Sequence, residues 1–95
     1  MNKESVLAYL KQHYQEFHKR YNVEKIGLFG SYARDEANND SDIDIFVKME
    51  ADMFSIIAMK EQIEKDLHKK VDIIREHKNI KPFFLEMINK DLVYA

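Results

Sequence analysis

Gly30-Ser31, ten further residues and then Asp42-Ile43-Asp44 form the segment of this 95-residue chain whose residue types and spacing could do chemistry. Gly30 closes an apolar run and has no side chain, so a ligand can approach the backbone closely. Ser31 then opens a short helix, where free N–H groups and the helix dipole attract an anion and the hydroxyl adds a donor, making phosphate the natural guest. Asp42 and Asp44 stand two apart on an expected strand, hence on one face, with Cα atoms ~6.5–7 Å apart. Two carboxylates so close repel each other unless a cation lies between them. Hard oxygen donors select Mg²⁺ or Mn²⁺, which complete their shells with water and substrate phosphates. Asp72 is a third carboxylate, set between Val71 and Ile73 in an otherwise apolar run. An unpaired aspartate buried there would be costly, so it is expected to face the same cleft. Three carboxylates can hold two metal ions ~3.5–4 Å apart, the arrangement used for in-line displacement at phosphorus. One ion would make an acceptor hydroxyl more acidic and the other would neutralise a triphosphate and its leaving pyrophosphate. Asp72 would be both a ligand and the base.

The elements that must position these residues alternate. Val6, Leu10, Tyr14, Phe17 and Tyr21 draw one helical stripe, with Asn2 as N-cap and Asn22 as stop. A strand follows at 23–29, a short helix at 31–36 and an Asn38-Asn39-Asp40-Ser41 turn. The second strand, 42–48, sets Ile43, Ile45 and Val47 against Asp42, Asp44 and Phe46. Residues 52–69 read as an amphipathic helix on Ile56, Met59, Ile63 and Leu67, with Glu61–Lys65 as an i,i+4 ion pair. The third strand is 70–75. A last helix starts near Asn79, with Pro82 in its first turn and Phe84, Leu85 and Ile88 on its buried side; 92–95 reads as a final short strand. The order α-β-α-β-α-β-α predicts an α/β layer fold with a small mixed sheet flanked by helices. For Gly30-Ser31 and Asp42 to meet, the end of the first strand must adjoin the start of the second, so those two strands must be antiparallel.

Several residues carry two readings. Arg34, one turn into the short helix, either clamps phosphate or forms an ordinary surface ion pair. Phe83-Phe84 reads as core rather than a base-stacking platform, the tyrosines as core and rim, and His77 as a surface histidine just past the third strand. Lys69-Lys70 reads as a helix end, where cations suit the dipole.

The length allows one domain, residues 1–95, with a single core. Charged residues make up 34% and hydrophobic ones 45%, a profile too apolar for a disordered chain and too interrupted for a membrane span. A net charge of −2 argues against direct nucleic-acid binding, yet a nucleotide needs only local positive charge and a metal. The absence of cysteine removes disulfides, thiolate metal sites and a Cys nucleophile, and the four histidines show no zinc-type spacing. The first residues lack the apolar run of a signal peptide, so a cytoplasmic location is expected.

The runs GSYAR, SDIDIFV and KKVDII resemble the minimal nucleotidyltransferases of the DNA polymerase β superfamily, over nearly the whole chain from the first helix to LVYA. The resemblance implies transfer of a nucleoside monophosphate from an NTP to an acceptor, with Mg²⁺. It carries over Gly30 and Ser31 as triphosphate binders, Asp42 and Asp44 as metal ligands and Asp72 as the third carboxylate. Many such short proteins are similar to MntA-type antitoxins, which pair with a HEPN-domain ribonuclease toxin and transfer AMP from ATP to one of its tyrosines. The same resemblance thus implies ATP as substrate and a HEPN-type toxin as partner. Asp35 stands where the family usually has Gly, which alters the loop beside the phosphates and adds negative charge near them. Larger relatives carry a second domain, so a second copy or a different protein is expected to complete the acceptor site here. Two alternatives accompany this reading: a binding module that neutralises its partner by contact, and a nucleotidyltransferase acting on a small molecule.

Overall fold

A computed structural model describes residues 1–95. The elements are α1 (Lys3–Tyr21), β1 (Lys25–Phe29), α2 (Gly30–Ala33), β2 (Ile43–Lys48), α3 (Met53–Leu67), β3 (Val71–Arg75), α4 (Pro82–Asp91) and β4 (Val93–Tyr94). They build a mixed four-stranded sheet in the order β3-β2-β1-β4. β1 runs antiparallel to both β2 and β4, while β2 and β3 are parallel and joined through α3. This is the expected mixed α/β architecture, with β4 as the final short strand.

Local chemistry fixes the ends of the elements. The Asn2 side chain accepts from the Ser5 N–H at 2.9 Å, and the Ser5 hydroxyl accepts from the Asn2 N–H at 3.0 Å, a reciprocal cap on α1. Asn22 turns left-handed at φ 58° and ends the helix, so β1 begins at Lys25 rather than 23. Asp52 caps α3 instead of lying inside it, accepting from Ser55. His68, at φ 55°, stops α3 before the two lysines, and Lys69 donates to the Asn39 carbonyl at 2.9 Å instead of extending the helix. The Asp35 backbone at φ 57° likewise ends α2 short of Glu36. The segment before Pro82 forms a turn, so α4 starts three residues later than expected.

α1 and α3 cover one face of the sheet. Val6, Leu10 and Phe17 from α1 and Met59 and Ile63 from α3 are buried with Ile43, Ile45 and Val47 of β2. Each such side chain contributes roughly 1.5–3 kcal/mol relative to exposure. Tyr14 is only half-buried and Tyr9 joins the stripe in its place, its hydroxyl donating to Asp66 at 2.6 Å. Glu61 and Lys65 form no ion pair, since two solvated side chains gain too little to hold one geometry. The other sheet face is covered only in part, by α4 against β1 and α2. There Ile88 is buried, but Phe83 is 73% and Phe84 43% exposed, so the reading of both as core is corrected. α4 is more apolar than its single buried contact requires.

Candidate active site

The sheet register assembles the site. Phe29 at the end of β1 stands opposite Asp44 of β2, and Asp44 stands opposite Asp72 of β3. Residues in register on adjacent strands share a face, so the Asp44 and Asp72 side chains emerge together, next to the turn that leaves β1. The antiparallel pairing inferred from the Gly30-Ser31 and DxD spacing is present.

Gly30 takes φ +75°, and a Cβ built on it would overlap Oδ2 of Asp44 and lie 3.0 Å from its Cγ. Only glycine lets the turn and the carboxylate come this close. Behind Asp44 on the same face lies Phe46, buried and packed edge-on against Phe29 at 6.4 Å. Burial beside these rings raises the Asp44 carboxyl above the usual carboxylate range; the charges of Asp72 and Asp42 push it further up, and Arg34 opposes them. The site is thus an anionic focus centred on Asp44.

Asp42 is the residue that geometry treats differently. β2 begins at Ile43, so Asp42 lies just before the strand, exposed, beside a loop cavity lined by Asn39, His68 and Lys70. Its charge reaches Asp44, but it does not line the cavities that Asp44 shares with the other site residues. Asp72 is exposed rather than buried. No three acidic or histidine side chains close into a ready-made cage for an ion. Mg²⁺ does not need one: it commonly binds through one or two carboxylates with phosphates and water as the remaining ligands. The hard-oxygen donors and the mutual repulsion at Asp44 therefore fit such an ion held together with a nucleotide.

Two cavities meet at Asp44, Phe29 and Phe84. One, of about 290 Å³, is lined by Gly30, Ser31, Arg34 and Asp91. The other, of about 370 Å³, is lined by Asp72, Ile56, Lys60 and Ile74. Arg34 donates to Asp91 at 2.7 Å and to Glu36 at 3.3 Å, so the ion-pair reading is realised while the guanidinium still borders the first cavity. Asp35 is left-handed, a conformation that explains a glycine preference and that aspartate tolerates better than most residues. It lines a separate pocket with Asn2 and Tyr32, so its charge does not border the Gly30–Ser31 cavity. His77 is exposed at the opposite end of the strands, in a cavity with Glu24, Glu50 and Glu76.

Sequence reasoning passed over Lys60 and read Phe84 as core rather than as a base-stacking platform. The signal for Phe84 was the apolar excess of α4. For Lys60 it was a cation four residues after Ile56, at helical spacing on the flank of an apolar stripe.

A family model described as Polymerase beta, Nucleotidyltransferase matches residues 11–95. The chain is 33% identical over 94 residues to the protein adenylyltransferase MntA of Thermococcus cleftensis, covering 97% of this chain and 94% of that one. A solved structure provisionally described as a minimal nucleotidyltransferase superposes with a TM-score of 0.79 at 27% identity, covering 98% of this chain and 95% of the other. The fold also matches a chain in the complex of the tri-AMPylated Shewanella oneidensis HEPN toxin with its MNT antitoxin. There the TM-score is 0.68 at 16% identity, with 97% of this chain and 70% of that chain covered.

Proposed function

The chain belongs to the Polymerase beta nucleotidyltransferase family, and on that premise we propose that it transfers AMP from ATP to a tyrosine hydroxyl of a HEPN-type toxin, acting as its antitoxin with Mg²⁺. The observation that carries the reading is the register of Asp44 with Asp72 beside the positive-φ Gly30 turn. An adenylyltransferase name on a relative aligned over nearly its whole length, and the fold shared with a chain of a HEPN-toxin complex, supply the nucleotide and the partner class.

Asp44 and Asp72 would hold the ion from the sheet, with Asp42 at the rim beside them. Bound there, it would supply charge neutralisation for the polyphosphate and lower the pKa of the acceptor hydroxyl. The backbone at Gly30 and the Ser31 hydroxyl receive the β and γ phosphates in the first cavity. Arg34, fixed by Asp91, adds positive field there without having to be ordered when the ligand binds. The acceptor oxygen attacks the α-phosphorus opposite the leaving pyrophosphate, and Asp72 takes its proton. Incubation with α-labelled ATP, Mg²⁺ and a co-produced HEPN-type protein is expected to label that protein. Labelling that persists in the Asp42→Asn plus Asp44→Asn variant would refute the assigned roles.

A second reading, neutralisation by contact alone, is favoured by the exposed Phe54, Phe83 and Met87. Full neutralisation of the toxin by Asp44→Ala would select it.

A further inference from the structure

Lys60 lies on α3, outside the Gly-Ser and DxD segments, yet it lines the 370 Å³ cavity together with Asp44 and Asp72. That cavity is otherwise bordered by apolar side chains such as Ile56, Ile74 and Phe84. Lys60 is half-buried and forms no salt bridge, unlike Arg34 in the neighbouring cavity, which is tied to Asp91 and Glu36. A free ammonium on an apolar wall beside two carboxylates has a ligand oxygen as its natural counterpart.

The two cavities divide the substrates. The Gly30–Ser31 side suits the β and γ phosphates, and Asp44, common to both, marks the α-phosphate. Asp72, the base of the step proposed above, lines the other side with Lys60, which assigns the attacking group to that side. We propose that Lys60 is a catalytic residue of the acceptor subsite, its ammonium donating to the acceptor oxygen as negative charge develops there. This rests on the adenylyl-transfer reading above. In the step, the acceptor O–H proton passes to Asp72, and the oxygen's electron pair forms the bond to the α-phosphorus. The bond from that phosphorus to the bridging oxygen breaks, and pyrophosphate leaves with its electrons. Lys60 stays protonated throughout.

The test compares wild type, Lys60→Met and Lys60→Arg, each co-produced with the HEPN-type protein. Transfer from α-labelled ATP is measured at saturating nucleotide, alongside the affinity for the non-transferable α,β-methylene ATP analogue with Mg²⁺. A donor aimed at developing charge is worth roughly 100-fold in kcat, so Lys60→Met should lose about that much. Its affinity for the analogue should stay within about twofold, and Lys60→Arg should recover part of the rate. That split would not arise from a merely structural role, which thermal unfolding of the same variants checks independently. An unchanged kcat in Lys60→Met overturns the inference, and so does a loss of analogue affinity that matches the loss of rate. If the wild type labels nothing, the adenylyl-transfer reading itself fails and takes the inference with it.

Discussion

Gly30→Ala adds a single methyl group where the structure leaves no room for one. Two costs follow. The φ of +75° is left-handed, which a residue with a Cβ occupies at a cost of roughly 1–2 kcal/mol. The methyl also overlaps the Asp44 carboxylate, and swinging that side chain off its rotamer costs about 0.5–1.5 kcal/mol more. The sum, roughly 1.5–3.5 kcal/mol, lowers Tm by roughly 6–28 °C in a domain of this size. Displacing a reacting-site group by about 1 Å can cost on the order of 100-fold in rate, so AMP transfer should fall by at least that factor. Differential scanning calorimetry and the labelling assay read both effects. A double-mutant cycle with Asp44→Ala separates the two costs, since removing the carboxylate should relieve its overlap and leave the backbone cost with a 3.2 Å contact to the Cβ of residue 44. Gly27→Ala is the control: its Cβ would meet Leu92 Cδ1 at 2.8 Å and the Val93 carbonyl at 2.9 Å, so it should destabilise β4 while leaving Asp44 in place. A Gly30→Ala protein with wild-type Tm and transfer rate would refute the reasoning.

Asp44→Asn should stabilise the protein in the absence of divalent metal. A carboxyl raised in the folded state holds its proton more tightly there than in the unfolded chain, so its ionisation costs stability as pH rises from the ordinary carboxylate range through the raised folded value. Above that window the substitution should raise Tm and remove the share of the pH dependence that Asp44 contributes, as thermal melts across acidic pH without metal would show. Asp52→Ala should lower stability through loss of the α3 cap. Its wild-type carboxyl is held below the ordinary range by the Ser55 hydroxyl and N–H, so this contribution is present above the ordinary carboxylate pKa and fades as pH falls through the lowered folded value. Urea denaturation at neutral and at acidic pH should therefore show the variant and wild type converging in acid.

The strands and the convergence of the site were legible because period-2 alternation and turn chemistry are local signals. Ile43, Ile45 and Val47 announced which face of β2 is buried, and the spacing from Gly30 to Asp44 required antiparallel pairing. What sequence could not supply was register between strands remote in the chain. Nothing in KVDIIR says that Asp72 meets Asp44 rather than Phe46; that register is set between strands separated by the whole of α3. The start of β2 was misplaced by one residue, enough to move Asp42 from the strand to its approach. Arg34 was undecidable because its partner, Asp91, lies 57 positions away. Phe83 and Phe84 looked like core because apolar residue types do not reveal whether a neighbouring layer exists to cover them.

The claim on which the account stands is that Asp44 and Asp72 jointly hold a divalent ion against a nucleotide bound at the Gly30 turn. Mn²⁺ titration followed by electron paramagnetic resonance, with α,β-methylene ATP present, measures this directly in the wild type and in Asp44→Asn and Asp72→Asn. The account predicts nucleotide-dependent Mn²⁺ binding in the wild type that weakens at least tenfold, about 1.4 kcal/mol, in each variant. Mn²⁺ affinity in Asp72→Asn equal to that of the wild type would contradict it.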